Sequence, residues 1–382
     1  MNLWRFTVLI LLFSGGLFAQ PPKEKKMTFH FFNDNFFYNR EYYNLIADSY
    51  TIAGHIFRPE ISFRIYPGWT LNGGMDILGY WGNNTNWQVK PLFYLAYRHK
   101  NHYFRFGALE NRQMHKIIRP LMQPDYFFHR DKRVETGMQY IFSTPRTEME
   151  SWVAWEHFIM PGDSLREVIQ FGWRWQSLVL NRKKIKLSFP VQVLVHHRGG
   201  QINLRGTFNT ELNNLFVVLY GAAGVHAVIP VNERGELNFF GYALGHYINS
   251  ENTEELKFRY GQAYWTGIAW YKNDFTLGLS YWEAFKFSTP TGEDIFQTVS
   301  HCIERNVSGD KLIDLYSLYA EPHRKLWILD AGYYHNFSEK FTFRLQANIF
   351  YQPYLSFIPG YNVYPVKRQT DYLLVLEWIY AF

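Results

Sequence analysis

Alternation of apolar and polar side chains with a period of two is the feature that most restricts how this chain can fold. In residues 341–351 apolar side chains occupy every second position: Phe341, Phe343, Leu345, Ala347, Ile349 and Tyr351. Thr342, Arg344, Gln346 and Asn348 lie between them, and residues 169–176 and 185–196 repeat the pattern. Because a two-residue period places successive side chains on opposite faces of a strand, the chain is predicted to form long amphipathic β-strands.

The same alternation fits two architectures, which differ in what the apolar face touches. A soluble sandwich turns that face inward, whereas a membrane barrel turns it toward lipid. Strands of about ten or more residues favour the barrel, since a tilted membrane strand needs that length. Charges in mid-strand also favour it, because a wet lumen tolerates Arg105, Arg174 and Arg344 on the polar face. A mean hydropathy of −0.27 argues against membrane helices of about 20 apolar residues each.

Connection lengths specify the barrel further. Short connections at 67–68, 99–102, 143–148, 181–184, 232–235, 272–273 and 336–339 alternate with longer ones along the chain. Short turns on the periplasmic side and long loops outside are typical of bacterial barrels. The predicted fold is therefore all-β: a transmembrane antiparallel up-and-down β-barrel of about 16 strands, with 14 to 18 possible. The Gly- and Val-rich stretch 215–231 is predicted to be a strand rather than a helix.

The N-terminus has the pattern of a targeting segment. Arg5 precedes an apolar run at 6–13, and small residues at 14–16 precede a plausible cleavage site near Ala19. We therefore predict a signal peptide at 1–19, a short periplasmic segment at 20–26 and an outer-membrane barrel at 27–382. The single cysteine, Cys302, excludes an internal disulfide.

The C-terminus carries a resemblance to a known class. The last eleven residues alternate, and aromatic side chains occupy the fifth-last, third-last and last positions: Trp378, Tyr380 and Phe382. This resembles the closing strand of Gram-negative outer-membrane β-barrel proteins, which are porin-like. The resemblance implies a multi-pass location in the cell outer membrane, a surface in contact with lipid, and barrel-assembly machinery as a partner during insertion.

Several kinds of chemistry find no support in the pattern of residues. Asp125 with His129, and Asp294 with His301, would form a hydrolase site only if folding happened to join them. The His pairs at 99 and 102 and at 196–197 lack further ligands at metal spacing. Basic residues are spread along the chain, unlike those of a nucleic-acid surface. We therefore expect no enzyme activity, no cofactor, no metal and no nucleic-acid partner.

Inward-facing charges suggest a function for the lumen. The face assignments place ten basic residues there: Arg64, Lys90, Arg98, Arg105, Arg133, Arg174, Lys186, Lys257, Arg259 and Arg344. Their main acidic counterparts are Asp76, Glu135 and Asp330. Rings of Arg and Lys favour anions in a pore, although the same arginines could instead brace the wall by pairing with carboxylates.

These observations lead to three hypotheses of different classes. The first is a porin-like channel for passive or substrate-biased diffusion of small polar or anionic solutes. The second is a non-enzymatic subunit of a larger envelope complex for secretion, uptake or assembly, with partner proteins docked on loops 111–132 and 352–370. The third is an outer-membrane hydrolase with a site built from loops. The apolar loop 111–132 either enters the lumen as a constriction or caps the rim and meets a partner.

Overall fold

A computed structural model describes residues 26–381 with internal gaps at 45, 111–113, 124–133, 161–166, 200–214, 233–234, 251–257, 301–319 and 354–368. The predicted signal peptide, Arg133, Lys257, Phe382, most of segment 20–26 and most of a predicted helix at 308–321 lie outside these residues. None of the described residues belongs to a helix long and apolar enough to cross a membrane.

Sixteen strands account for most of the described chain. The first eight are β1 Met27–Glu41, β2 Tyr50–Tyr66, β3 Trp69–Tyr80, β4 Asn83–His99, β5 His102–Ala108, β6 Thr136–Ser143, β7 Thr147–His157 and β8 Glu167–Arg182. The second eight are β9 Ile185–Gly199, β10 Phe216–Asn232, β11 Gly235–Ser250, β12 Tyr260–Lys272, β13 Phe275–Phe285, β14 His323–Ser338, β15 Phe341–Gln352 and β16 Gln369–Ala381. The stretch 215–231 forms β10, as its Gly and Val content predicts.

The strands close into one antiparallel barrel. Each strand pairs with its neighbours in sequence, and β1 pairs with β16 in a register that includes Asn35↔Trp378 and Tyr38↔Val375. The predicted fold class is confirmed: an antiparallel up-and-down barrel of 16 strands. Short and long connections alternate except between β3 and β4, which are joined on the long-loop side by residues 81–82 alone. Closure leaves every strand paired on both sides, so no sheet edge remains exposed.

The outer face of the wall is apolar at many positions. Phe93, Phe106 and Leu277 are each more than half exposed, although burial is the usual fate of such residues in a soluble core. Their neighbours Tyr94, Arg105 and Gly278 are buried. A wall that points aromatic and aliphatic side chains outward suits lipid rather than water.

The inner face differs between the two halves of the barrel. In β1 the exposed residues 27–30 lie toward the short turns, whereas Phe36, Tyr38 and Arg40 near the long-loop end are buried. Strand β2 runs the opposite way and shows the reverse order, buried at 54–60 and exposed at 63–66. The lumen is therefore filled in its long-loop half and open in its short-turn half.

Candidate functional site

Two loop segments fill the long-loop half of the lumen. Residues 114–123, between β5 and β6, and residues 287–299, between β13 and β14, are called the inserted segments below. They bind each other through backbone hydrogen bonds, from Gln123 N to Thr291 O at 2.8 Å and from Glu293 N to Arg119 O at 3.0 Å. The sequence leaves open whether loop 111–132 enters the lumen or caps the rim. Its described residues, 114–123, enter the lumen.

The inserted segments and the wall share one apolar cluster. Leu121, Met122, Ile295 and Phe296 are fully buried. They pack in one cluster with inward residues of twelve strands, which are all except β4, β5, β6 and β8. A barrel of this size otherwise leaves an aqueous interior. The described segments therefore replace water with a packed core over this part of the lumen.

His115 is the central titratable group of the first inserted segment. Its Nδ1 lies 2.6 Å from Glu150 Oε1, and its Nε2 lies 2.8 Å from Glu135 Oε2. The ring stacks on Trp152 with centroids 3.9 Å apart and an interplanar angle of 6°. Across the ladder, Gly172 makes room for that indole, since a Cβ there would clash with the Trp152 ring. The imidazole is thus held on both nitrogens and one face.

The backbone conformation of His115 is one that its surroundings must hold in place. Its φ of 51° lies in the left-handed region, which non-glycine residues adopt where surrounding contacts over-determine the conformation. Such outliers cluster at functional sites.

Further polar groups hold the two carboxylates in place. Gln139 Nε2 donates to Glu150 Oε1 at 2.7 Å, and Arg174 Nε donates to Glu150 Oε2 at 2.9 Å. Arg174 also donates from Nη2 to Glu148 Oε1 at 2.7 Å, and Lys116 Nζ binds the same oxygen at 2.5 Å. The strands β6, β7 and β8 therefore supply a rigid inner-face network around one loop residue.

Two buried polar atoms on residues that contact His115 lack partners among the described residues. They are Glu135 Oε1 and Trp152 Nε1. Buried polar groups in proteins are nearly always hydrogen-bonded, to protein or to water. Glu135 Oε2 accepts a hydrogen bond from His115, while Oε1 of the same carboxylate has no partner among the described residues. A general base needs an acceptor oxygen of this kind. The cluster of His115, Glu135, Glu150 and Arg174 is the candidate site.

The pKa of His115 predicts how the site depends on pH. Burial alone would lower this pKa, but Glu135 and Glu150 outweigh burial and raise it from 6.5 to about 9. Since the folded pKa exceeds the unfolded one, the imidazolium contributes stability that is fully present below pH 6.5 and is lost as pH rises through about 9. The shift corresponds to about 3 kcal/mol.

We therefore expect the free energy of unfolding to fall as pH rises from 6.5 to about 9, measured by urea titration in lipid vesicles. In the variant His115→Gln this fall should be smaller, because glutamine does not titrate. Equal pH dependence of the two proteins would show that His115 is not charged in the folded state.

A second ionic cluster joins the inserted segments to the wall. Arg119 binds Glu293 through Nε at 2.6 Å and through Nη2 at 2.9 Å. Tyr42 donates to Glu293 Oε1 at 3.1 Å, and Arg40 Nη2 lies 3.9 Å from the same oxygen. Burial alone would raise the pKa of Glu293, but Arg119 and Arg40 hold it below its usual range. This carboxylate is therefore charged and links both segments to β1.

The residues predicted to line the lumen are distributed over several environments. Arg105, Arg174, Asp76 and Glu135 are buried, and Lys90, Asp330 and Arg344 are partly exposed. Arg64, Arg98 and Lys186 are exposed, and each lies an even number of residues from the buried, inward-facing residues of its own strand. Arg259 is exposed just before β12. Trp378 and Tyr380 lie in β16. The structure joins Arg174 to the His115 cluster, and Asp330 to Arg119 at 4.0 Å.

The buried charges have a different balance from the predicted set. Among the described residues, nine carboxyl side chains are buried: Asp34, Glu60, Asp76, Glu135, Glu150, Glu293, Glu321, Asp371 and Glu377. Five arginines are buried: Arg40, Arg58, Arg105, Arg174 and Arg324. Each of these arginines lies within 3.9 Å of a carboxylate. The arginines in this set brace the wall.

Sequence reasoning missed the residues of the candidate site except Glu135 and Arg174. His115 lies in a loop, and its partners Glu135 and Glu150 follow 20 and 35 residues later. The available signal was the apolar character of loop 111–132 around His115, which is unusual for a solvated loop.

Solved structures with a similar fold are outer-membrane proteins. A loop-deletion mutant of OmpT, an outer membrane protein of Vibrio cholerae, aligns over 94% of this chain and 100% of its own, at 10% identity and a TM-score of 0.51. An anion-selective porin from Comamonas acidovorans and OprD from Pseudomonas aeruginosa each align over 93% of this chain and over 100% and 95% of their own. Both are 11% identical, with TM-scores of 0.48 and 0.49. Likeness at this identity shows the outer-membrane barrel fold alone.

A comparison with curated proteins gives no match. In contrast, the family described as Lipid A 3'-O-deacylase-type matches residues 19–374, nearly the whole chain. A deacylase is an enzyme, so the prediction that this chain has no enzyme activity is wrong. That prediction failed because the titratable groups of the site are brought together only by folding. The chain belongs to the Lipid A 3'-O-deacylase-type family.

Proposed function

We propose that this protein is an outer-membrane esterase that removes an ester-linked acyl chain from lipid A, the reaction for which its family is named. The observation that carries the proposal is His115, buried between two carboxylates, one of which keeps an unpartnered oxygen. The site lies in the long-loop half of the barrel, which is the outer side in the orientation typical of bacterial barrels. Lipid A lies in the outer leaflet on that side.

The geometry supports hydrolysis by an activated water. Glu135 Oε1 accepts a proton from water, and the resulting hydroxide attacks the carbonyl carbon of the ester. The bond from that carbon to the sugar oxygen breaks, and the sugar oxygen takes up the proton that Glu135 accepted from water as the fatty acid leaves. His115, charged at neutral pH, orients Glu135 through its Nε2–H. Glu150 and Arg174 fix the other side of the ring.

Mass spectrometry of lipid A tests the proposal directly. Purified protein reconstituted with lipid A should release one ester-linked acyl chain, seen as the matching mass loss in lipid A and as free fatty acid. Lipid A whose ester-linked chains have first been removed by mild alkali retains only amide-linked chains and should stay unchanged. Unchanged intact lipid A in the presence of folded protein would count against an esterase.

The channel and the envelope-complex subunit stay predictions. The packed cluster around Leu121 and Phe296 favours a narrow lumen, so we expect the protein to show little steady conductance in planar bilayers. Replacing residues 117–122 with a shorter Gly-Ser linker should open stable conducting steps, because it removes the apolar filling on one side. Large steady steps from the unaltered protein would instead favour the channel.

A further inference from the structure

A recess lies in the lumen wall on the short-turn side of the inserted segments. Its volume is about 420 Å³, within the range of about 300–1,000 Å³ usual for small-molecule sites. The floor is the inner face of β13, where Thr276, Gly278 and Ser280 present small side chains. Residues directly opposite on the two neighbouring strands are also small, with Ala269 beside Gly278 and Gly332 beside Thr276, so this part of the wall forms a hollow.

One side of the recess is aromatic. Trp265 and Tyr271 of β12 and Phe240 of β11 line it. Trp265 is held in place by a hydrogen bond from Nε1 to Ser280 Oγ at 3.1 Å and by edge-to-face contact with Phe240, whose ring centroid is 5.0 Å away. An aromatic side chain fixed in this way offers an apolar surface of defined orientation.

The opposite side is polar and comes from β14 and β15. Asp330, Arg344 and Gln346 line it, and Asp330 accepts a hydrogen bond from Asn348. Arg344 is about one-third exposed; its Nη1 donates to Glu377 at 3.0 Å and its Nη2 donates to Gln346. Donors and acceptors therefore alternate along this wall.

The charges around the recess balance. Arg119 closes it on the side of the inserted segments, with Nη1 4.0 Å from Asp330 Oδ1. The arginines of this network are Arg40, Arg119 and Arg344, and its carboxylates are Glu293, Asp330 and Glu377. Of these six groups, only Arg119, Asp330 and Arg344 line the recess, and the other three, outside the lining, bring the network to no net charge, so the recess suits a neutral ligand with many hydroxyl groups.

We propose that this recess binds a neutral saccharide unit. A sugar ring has an apolar C–H face, which fits against Trp265 and Tyr271, and a rim of hydroxyls, which both donate and accept. Asp330 accepts from these hydroxyls, Arg344 donates to them, and Gln346 does both. The site lies on strands other than those that hold His115, so it is independent of the proposed esterase activity.

Binding is measured by Trp fluorescence and calorimetry in an amine-oxide detergent, which carries no sugar. The neutral probes are glucose, N-acetylglucosamine and maltose, and the charged probes are decanoate and choline. At least one sugar should bind, and Asp330→Asn should weaken it about tenfold or more. Gly278→Met should abolish binding by filling the hollow. A Cβ at Gly278 meets its neighbours at 3.5 Å, an ordinary contact, so the barrel should still fold.

Arg64→Gln is the matched control. Arg64 is an exposed arginine on the inward face of β2, and it does not line the recess. Its sugar affinity should equal that of the unaltered protein. Absence of binding by all three sugars overturns the proposal, and so does tighter binding of decanoate or choline than of any sugar. Unchanged sugar affinity in Gly278→Met would place the ligand elsewhere and also overturn it. Lipid A hydrolysis should be the same in all three variants.

Discussion

Replacing His115 with glutamine is expected to lower the rate of lipid A hydrolysis by about 10²- to 10⁴-fold, because Glu135 loses the partner that orients it and with it the usual contribution of a positioned base. Glutamine still donates a hydrogen bond but carries no charge, so it does not hold both carboxylates as the imidazolium does. Glu135→Gln should reduce the rate as strongly, since an amide oxygen does not accept a proton from water. Release of fatty acid per unit time, followed by mass spectrometry, measures both effects.

His102→Gln is the control for these variants. His102 is an exposed histidine at the short-turn end of β5, where Nδ1 lies 2.7 Å from Tyr140 Oη. Its replacement should leave the rate unchanged. Folding of each variant is checked by the shift in gel mobility that intact barrels show on heating. Full activity in folded His115→Gln or Glu135→Gln would remove that residue from the site.

The second large effect is expected for Glu293→Gln. Glu293 has no exposed surface and is the shared partner of Arg119 and Arg40. Removing one member of a buried ion pair costs about 3–5 kcal/mol, because the remaining charge is buried without compensation. We expect a loss of that size in the free energy of unfolding, measured by urea titration in lipid vesicles.

A double variant separates the ionic contribution from simple disruption of packing. Arg119→Gln with Glu293→Gln removes both charges and should be less destabilised than Glu293→Gln alone. Lys325→Gln is the control for a surface pair, since Lys325 is 44% exposed beside Glu283, and it should change stability by less than about 1 kcal/mol. Equal loss in the single and double variants would show that the charges of Arg119 and Glu293 are not coupled.

The positions of the strands and tight turns were largely predictable from the sequence, because each of them depends on residues that are neighbours along the chain. The period of two in 341–351 identifies β15, and the same pattern in 185–196 identifies β9. Turn residues such as Pro67-Gly68 separate β2 from β3, where Gly68 has a φ of 82°. The alternation of short and long connections then leads to 16 strands. Local sequence carries this information because strand faces and tight turns are local properties.

The candidate site was not predictable in the same way. The two-residue period places Arg174 and Glu150 on the inward face of their strands. It does not say whether water or protein fills the lumen at the level of these residues. That depends on residues 114–123 and 287–299, which enter from opposite sides of the barrel and meet through contacts such as Thr291 Oγ1 to Leu121 O at 2.7 Å. The count of ten basic to three acidic lumen residues therefore described neither the buried set nor its pairing.

The sequence by itself determined that this protein is a barrel of about 16 strands with an apolar outer wall, because the side-chain period, turn chemistry and strand length act within a few residues. Only the tertiary structure decided that the lumen is filled on one side and that His115 lies between Glu135 and Glu150. The physical reason is distance along the chain. Groups separated by 20 to 170 residues meet only after the strands have paired into a closed barrel and the loops have folded into its lumen.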